Sequence, residues 1–243
     1  IHEKIESARF LYWCDVMGML VWEEMPSAYC FKENRVTEYL SSLCEIIKRD
    51  KNHPSIITWV MFNESWGVAQ IRFNKKQQHF TLSAYHTVKA IDDTRFVISN
   101  DGWEHTESDI FTIHDYEADG DKITALHTGP NQIKIGGNRM INTIKTAFAD
   151  GFKYSGQPII VSEFGGISFE SDTGWGYNDK VKSYDEFFER LLSQKKAFVN
   201  IQGVCGYCLT QFTDVEDEKN GLLTIDRQPK VPMEKIEIMN RMN

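Results

Sequence analysis

The order of apolar and polar positions along this chain alternates between two periods. Val36, Tyr39, Leu40, Leu43, Ile46 and Ile47 recur three or four residues apart, which is one face of an α-helix. Lys48 and Arg49 follow near the helix end whose dipole favours cations. Ile56 to Phe62 is then apolar almost throughout, the pattern of a strand covered on both faces. The same reading predicts helices over Arg9 to Met17, stopped by Gly18, and over roughly Lys75 to Ala90. It predicts another where Met140, Ile141, Ile144, Ala147 and Phe148 keep helical spacing before Gly151. A further helix opens at Ser183, with Glu186 three residues on in a capping-box arrangement, and a short one spans Pro232 to Met242. Strands are expected at about 19–22, 56–62, 95–99, 109–113, 158–162 and 204–209. Strands separated by helical segments imply parallel pairing and an α/β architecture.

A chain of 243 residues with 41% hydrophobic content supports a full core, and its net charge of −8 with scattered cations argues against a nucleic-acid partner. No apolar run approaches the roughly 20 residues of a membrane span. The first residues, Ile1-His2-Glu3-Lys4, carry neither an initiator Met nor a signal-like stretch and read as the start of a piece of something longer. Five cysteines are an odd number. Cys205 and Cys208 form a C-x-x-C inside an apolar run. A strand sends positions three apart to opposite faces, so structural burial is expected there, not a metal or a disulfide.

The chemistry concentrates at the carboxyl ends of the expected strands, where parallel α/β folds place their sites. Ile56 to Asn63 ends in Glu64, and Pro158 to Ser162 ends in Glu163. A carboxylate at the end of a two-sided apolar strand is costly unless paired or solvated. Two of them suggest one shared site, and paired carboxylates are the working parts of glycosidic bond hydrolysis. Glu24, Asp101, His114-Asp115-Tyr116 and Gln211 close other strands. Trp66, Trp103, Trp175 and Tyr177 lie in loops beyond strand ends, where aromatic rings can stack on sugar faces. The Gly- and aromatic-rich stretch from Gly165 to Lys180 is the candidate specificity loop.

These motifs in order carry a resemblance. His53-Pro54-Ser55-Ile56-Ile57, Trp59 and Asn63-Glu64-Ser65 resemble the acid/base segment of glycoside hydrolase family 2, the family of β-galactosidases, β-glucuronidases and β-mannosidases. Arg9 to Asp15 through Gly18 and Val21-Trp22-Glu23-Glu24 resembles its third barrel strand with the preceding helix. Val161-Ser162-Glu163-Phe164-Gly165 resembles its nucleophile segment, and Gly221-Leu222-Leu223 through Arg227-Gln228-Pro229-Lys230 its end-of-barrel pattern. The resemblance implies a (β/α)8 barrel, incomplete here at about six strands with the first two absent, as one catalytic domain over 1–243. It implies Glu64 as general acid/base and Glu163 as nucleophile of a retaining β-glycosidase. Asn63 is then placed to bond the sugar 2-OH and Tyr116 the nucleophile, and Asp101 and His114 line the pocket. No cofactor is required by this chemistry, although relatives can bind Mg²⁺ or Na⁺ near the site. A carbohydrate is the implied partner, and an open barrel edge invites a second copy of the chain. A barrel piece that binds sugar without turnover shares every motif. Where relatives that cleave glucuronides carry Asn-x-Lys before the Gly of the end-of-barrel pattern, this chain reads Glu218-Lys219-Asn220-Gly221. That departure favours a neutral sugar such as galactose.

Overall fold

The computed structural model describes residues 1–127 and 145–241. They fall into two compact units, 1–112 with 145–158, and 113–127 with 159–241. Among the described residues six strands form two three-stranded sheets, as expected of an incomplete barrel, and a helix separates each successive pair of strands except Phe96–Ile98 and Phe111–His114, which follow one another directly. Among the described residues no helix is long and apolar enough to cross a membrane.

The first unit contains α1 (Ala8–Met17), β1 (Val21–Glu24), α2 (Glu33–Asp50), β2 (Ile56–Val60), α3 (Lys75–Ile91) and β3 (Phe96–Ile98). Its sheet runs β1-β2-β3 with both pairings parallel. Ser7 caps α1 through its hydroxyl, and Gly18 closes it at φ 68°, a left-handed conformation that glycine adopts without steric cost. The periodic face of α2 delivers Leu43 and Ile47 to a core shared with Leu11, Trp59, Met61, Phe62 and Val88. Tyr39 stacks on Phe62 at 5.0 Å between centroids and donates its hydroxyl to the Met61 carbonyl. On β1, Glu23 is buried and its carboxyl oxygens meet no N–H or hydroxyl donor among the described residues. Burial, then the charge of Asp50, pushes its pKa up, which keeps a proton on Glu23 to share with that neighbour.

The start of β3 is tied to β2 by Arg95, which donates to the carbonyls of Ile56 (2.7 Å) and His53 (2.9 Å). Asp92 holds that arginine at 2.8 Å, the buried indole N–H of Trp59 at 2.9 Å and the Thr94 hydroxyl at 2.6 Å. Burial alone would raise the carboxyl, but the bonds from Thr94, Trp59 and Arg95 outweigh it and hold Asp92 at about 2. The folded value lies below the unfolded one of about 3.9. Its stabilisation is therefore complete above the unfolded value and is lost as pH falls toward 2. Asp92→Ala should cost about 3 kcal/mol at neutral pH, because the buried Trp59 indole N–H loses its acceptor and the half-buried Arg95 loses its carboxylate while keeping the Ile56 and His53 carbonyls. Thermal melts should show the deficit shrinking as the pH is lowered from 5 toward 2.

The second sheet runs β4 (Phe111–His114), β5 (Ile159–Gly165), β6 (Val204–Thr210), and the boundary between the units passes through β4. Helices α4 (Gly120–His127), α5 (Tyr184–Val199) and α6 (Met233–Arg241) complete this half. Phe164 of β5 meets Phe198 of α5 edge-on at 5.5 Å, and Phe187 of α5 stacks on Phe169 at 5.5 Å. The Ser183 hydroxyl accepts from the Glu186 N–H, but the Glu186 carboxylate reaches back to Lys182 rather than to the cap itself.

Five readings of the sequence need correction. Strand β1 begins two residues later than expected and ends on Glu24, and β5 continues through Glu163 to Gly165. Helix α4 was not anticipated, although Asp119 caps it by accepting from Asp121 and Lys122. Of the helix expected over Met140 to Phe148, residues 140–144 lie outside the described residues. Ala147 and Phe148 are not helical: His105 exchanges backbone bonds with Ala147 and Ala149. Cys205 and Cys208 are exposed, not buried, because β6 is the end strand of its sheet.

Candidate active site

In the first unit, β2 is followed by Met61, Phe62 and the Asn63-Glu64 pair. Asn63 and Asp101 bridge as a parallel pair beyond the ends of β2 and β3, and the Glu64 N–H donates to the Asp101 carbonyl at 3.0 Å. Asn63 is 3% exposed, and its Oδ1 accepts no hydrogen bond among the described residues, which leaves an acceptor for a hydroxyl. Glu64 and Ser65 are both left-handed, at φ 50° and 62°, a conformation that costs non-glycine residues roughly 1–3 kcal/mol each. The turn persists because its neighbours over-determine it. The Ser65 N–H donates to Asn100 Oδ1 at 3.0 Å, and its hydroxyl donates to Glu104 Oε2 at 2.6 Å. Asn100 in turn donates to Ser65 Oγ (3.1 Å) and to the Trp103 carbonyl (2.6 Å). Trp103 is half-buried beneath Lys145, whose Nζ stands 5.6 Å from the ring centre, so it is not an open platform. Trp66 is exposed and meets Tyr29 edge-on at 6.0 Å.

At the end of β1, Glu24 accepts from the Glu3 N–H at 2.9 Å and lies 3.2 Å from His2 Nδ1. Its other oxygen, Oε1, is buried and receives no donor among the described residues. A single open carboxylate oxygen is one ligand where a hard cation takes about six oxygens, so Glu24 by itself does not make up a site for the Mg²⁺ or Na⁺ that relatives can bind.

In the second unit, Glu163 sits at a bulge. Val161 pairs with Tyr207 and Phe164 with Leu209, so three steps along β5 match two along β6. A bulge re-aims a side chain that strict alternation would send elsewhere. Tyr116 donates its hydroxyl to Glu163 Oε2, and His114 Nδ1 lies 3.5 Å from the same oxygen. The His114 side chain is fully buried and Glu163 is 15% exposed. Burial, then the charge of Glu163 and the neighbouring Tyr177, pushes the Tyr116 phenol far up, so it remains a donor. Tyr177 stacks on Tyr116 with centroids 3.5 Å apart. Gly166, at φ 62°, makes this possible: a Cβ there would lie 2.4 Å from the Tyr177 ring and 2.7 Å from that of Tyr116. Trp175 is exposed, meets Tyr177 edge-on at 5.6 Å, and is held by backbone bonds to Asp217 and Lys219. Asn220 is buried and engaged, accepting from Gln211 Nε2 at 2.7 Å and donating to Glu218 at 2.9 Å.

Of the expected residues, Asn63, Glu64, Asp101 and Trp103 therefore come together in one unit. His114, Tyr116, Glu163, Tyr177 and Trp175 do so in the other. Asn100, Glu104 and Lys145 were not anticipated, nor was the part Ser65 of the Asn63-Glu64-Ser65 motif plays in holding the turn. For Asn100 and Glu104 the trace in the sequence is a polar run, Asn100-Asp101-Gly102-Trp103-Glu104, directly after a strand.

The description of glycosyl hydrolases family 2, TIM barrel domain, matches residues 6–241. The β-glucuronidase of Chlorocebus aethiops is 24% identical over 244 residues, which cover 90% of this chain and 35% of that protein. The β-galactosidase of Thermoanaerobacterium thermosulfurigenes is 25% identical over 227 residues, 89% of this chain and 27% of that protein. The crystal structure of a GH2 β-galacturonidase from Eisenbergiella tayi bound to galacturonate superposes with a TM-score of 0.72 at 20% identity, over 100% of this chain and 44% of that one, a likeness of fold. The chain spans about a third of the length of the curated relatives it matches. The family description covers nearly every residue, and the strand ends carry the motifs that suggested it, so this chain belongs to glycosyl hydrolase family 2, as its TIM barrel domain.

Proposed function

We propose that the 243 residues act as one catalytic domain of a retaining β-glycosidase, in which Glu64 and Glu163 work on a single glycosidic bond. A Glu163 oxygen attacks the anomeric carbon while the bond from that carbon to the leaving oxygen breaks. Glu64 gives its proton to the leaving oxygen, and an ester between sugar and Glu163 remains. In the second half Glu64, now a carboxylate, takes a proton from water as that water attacks the anomeric carbon. The ester bond breaks, the Glu163 carboxylate is restored, and the sugar leaves with its original configuration. Asn63 offers its open acceptor to the 2-OH, a bond that strengthens as the ring gains oxocarbenium character.

The observation that carries this reading is the Tyr116 hydroxyl on Glu163. Donation to the charged carboxylate favours ionisation, and an ionised oxygen is what a nucleophile needs. The bulge and His114 hold that carboxylate in place.

For the sugar, the preferred reading is a neutral β-galactoside. A glucuronate carboxylate needs a cation at the position Asn220 occupies. Here that side chain is neutral and already bonded to Gln211 and Glu218, whose own charge opposes a carboxylate. A uronide is the second reading, because the relatives and the fold neighbour above include proteins named for uronic acids. Comparing kcat/KM on nitrophenyl β-galactoside and β-glucuronide, in the longest natural chain containing these residues, decides between them. The galactoside should lead by tenfold or more, about 1.4 kcal/mol in transition-state binding. A tenfold lead for the glucuronide overturns the neutral reading.

A further inference from the structure

We propose that Asn100 and Glu104 are positioning residues for Glu64, acting through Ser65, and that they set how well the acid is aimed at the leaving oxygen. This rests on the acid/base reading of Glu64 above. Three residues of the described chain in this one region are left-handed without being glycine: Glu64 at φ 50°, Ser65 at 62° and Glu104 at 49°. Strain of this kind survives only where the surroundings hold it, and it gathers where a side chain must be aimed. Here the restraint falls on the residue directly after Glu64. Ser65 is 2% exposed and fixed by its N–H to Asn100, by its hydroxyl to Glu104, and by the amide of Asn100 on that same hydroxyl.

The far side of the clamp is equally fixed. Asn100 is fully buried and anchored on the Trp103 carbonyl, and Glu104 is 4% exposed and paired with Lys145 at 3.2 Å. The Glu104 N–H donates to Thr146 at 2.8 Å, which ties the strained residue to a separate stretch of chain. A buried carboxylate is a costly way to hold a serine hydroxyl, since an apolar contact would fill the space without desolvating a charge. What it supplies is direction. The hydrogen bond fixes Ser65, and Ser65 fixes the backbone from which the Glu64 side chain departs. An acid misaligned by about 1 Å can lose about 100-fold in rate.

The test separates aiming from folding by the leaving group. In the longest natural chain containing these residues, kcat/KM is measured on phenyl and 2,4-dinitrophenyl glycosides of an accepted sugar. The phenolate needs protonation as it leaves and the dinitrophenolate does not. Glu104→Ala and Asn100→Ala should each lower the phenyl rate about 100-fold and leave the dinitrophenyl rate within about threefold. Glu104→Gln, which still accepts from Ser65, should restore the phenyl rate to within about fivefold. If the alanine variants fail to fold by thermal melt, Ser65→Ala removes only the hydroxyl and should give the same dependence at about tenfold. Equal losses on both substrates, or none, overturn the proposal. Glu64→Ala is run beside them. If it shows no leaving-group dependence, the acid/base reading itself is wrong. If it shows a steep one that the clamp variants lack, only the positioning role is.

Discussion

Glu163→Gln should abolish turnover, by about 10⁵-fold or more in kcat/KM on a nitrophenyl β-glycoside. The amide keeps the shape of the carboxylate but has neither its charge nor its nucleophilicity, so the ester to the sugar cannot form. The surroundings make the substitution informative. The Tyr116 hydroxyl and His114 both address Glu163 Oε2, and the β5 bulge that holds the residue is made by backbone, which glutamine does not disturb. An unchanged melting temperature with lost activity would place the effect in the chemistry. Near-native activity in a folded Glu163→Gln enzyme would remove Glu163 from the mechanism.

Glu64→Ala should fail differently. Losing a general acid costs about 10²- to 10⁴-fold where the leaving oxygen must be protonated. Phenyl glycosides should therefore lose about 10³-fold in kcat/KM, and dinitrophenyl glycosides far less. With an activated substrate the ester should instead accumulate, because water is no longer deprotonated as it attacks. Azide needs no base. Adding it should raise kcat on the dinitrophenyl substrate at least about tenfold and yield a β-glycosyl azide, seen by NMR. An α-azide, or no rescue together with a flat dependence on leaving group, would exclude Glu64 as acid/base.

Much of this was legible in the sequence, for physical reasons that can be named. The two apolar runs ending in glutamate announced buried strands with chemistry at their carboxyl ends, and both strands lie where expected. The periodic residues Val36 to Ile47 fall within α2, and α3 ends one residue beyond the expected Lys75 to Ala90 although its period is weaker. What failed was local geometry imposed by tertiary contacts. The left-handed Glu64 and Ser65 leave no mark, since neither is glycine and the restraint comes from Asn100 and Glu104, some 35 to 39 positions away. The continuation of β5 through Glu163 depends on a bulge against β6, which alternation in one strand cannot reveal. The exposed Cys205 and Cys208 follow from β6 standing at the end of its sheet, so an apolar pattern was read as burial that the neighbouring strands do not supply. Helix α4 was overlooked because its eight residues are too few to show a period, although the Asp119 cap was visible.

The central claim is that Glu163 becomes covalently attached to the sugar, and trapping that ester tests it most directly. A 2-deoxy-2-fluoro glycosyl fluoride of whichever sugar the nitrophenyl assays show to be accepted slows both steps, the second more, so the intermediate persists. After incubation with the longest natural chain containing these residues and digestion with trypsin, the peptide spanning residues 154–180, which contains Glu163, is sequenced by mass spectrometry. The prediction is one fluorosugar on Glu163, with activity lost in step with labelling. A label on any other residue, or no label from an enzyme that releases its sugar with inverted configuration, would contradict it.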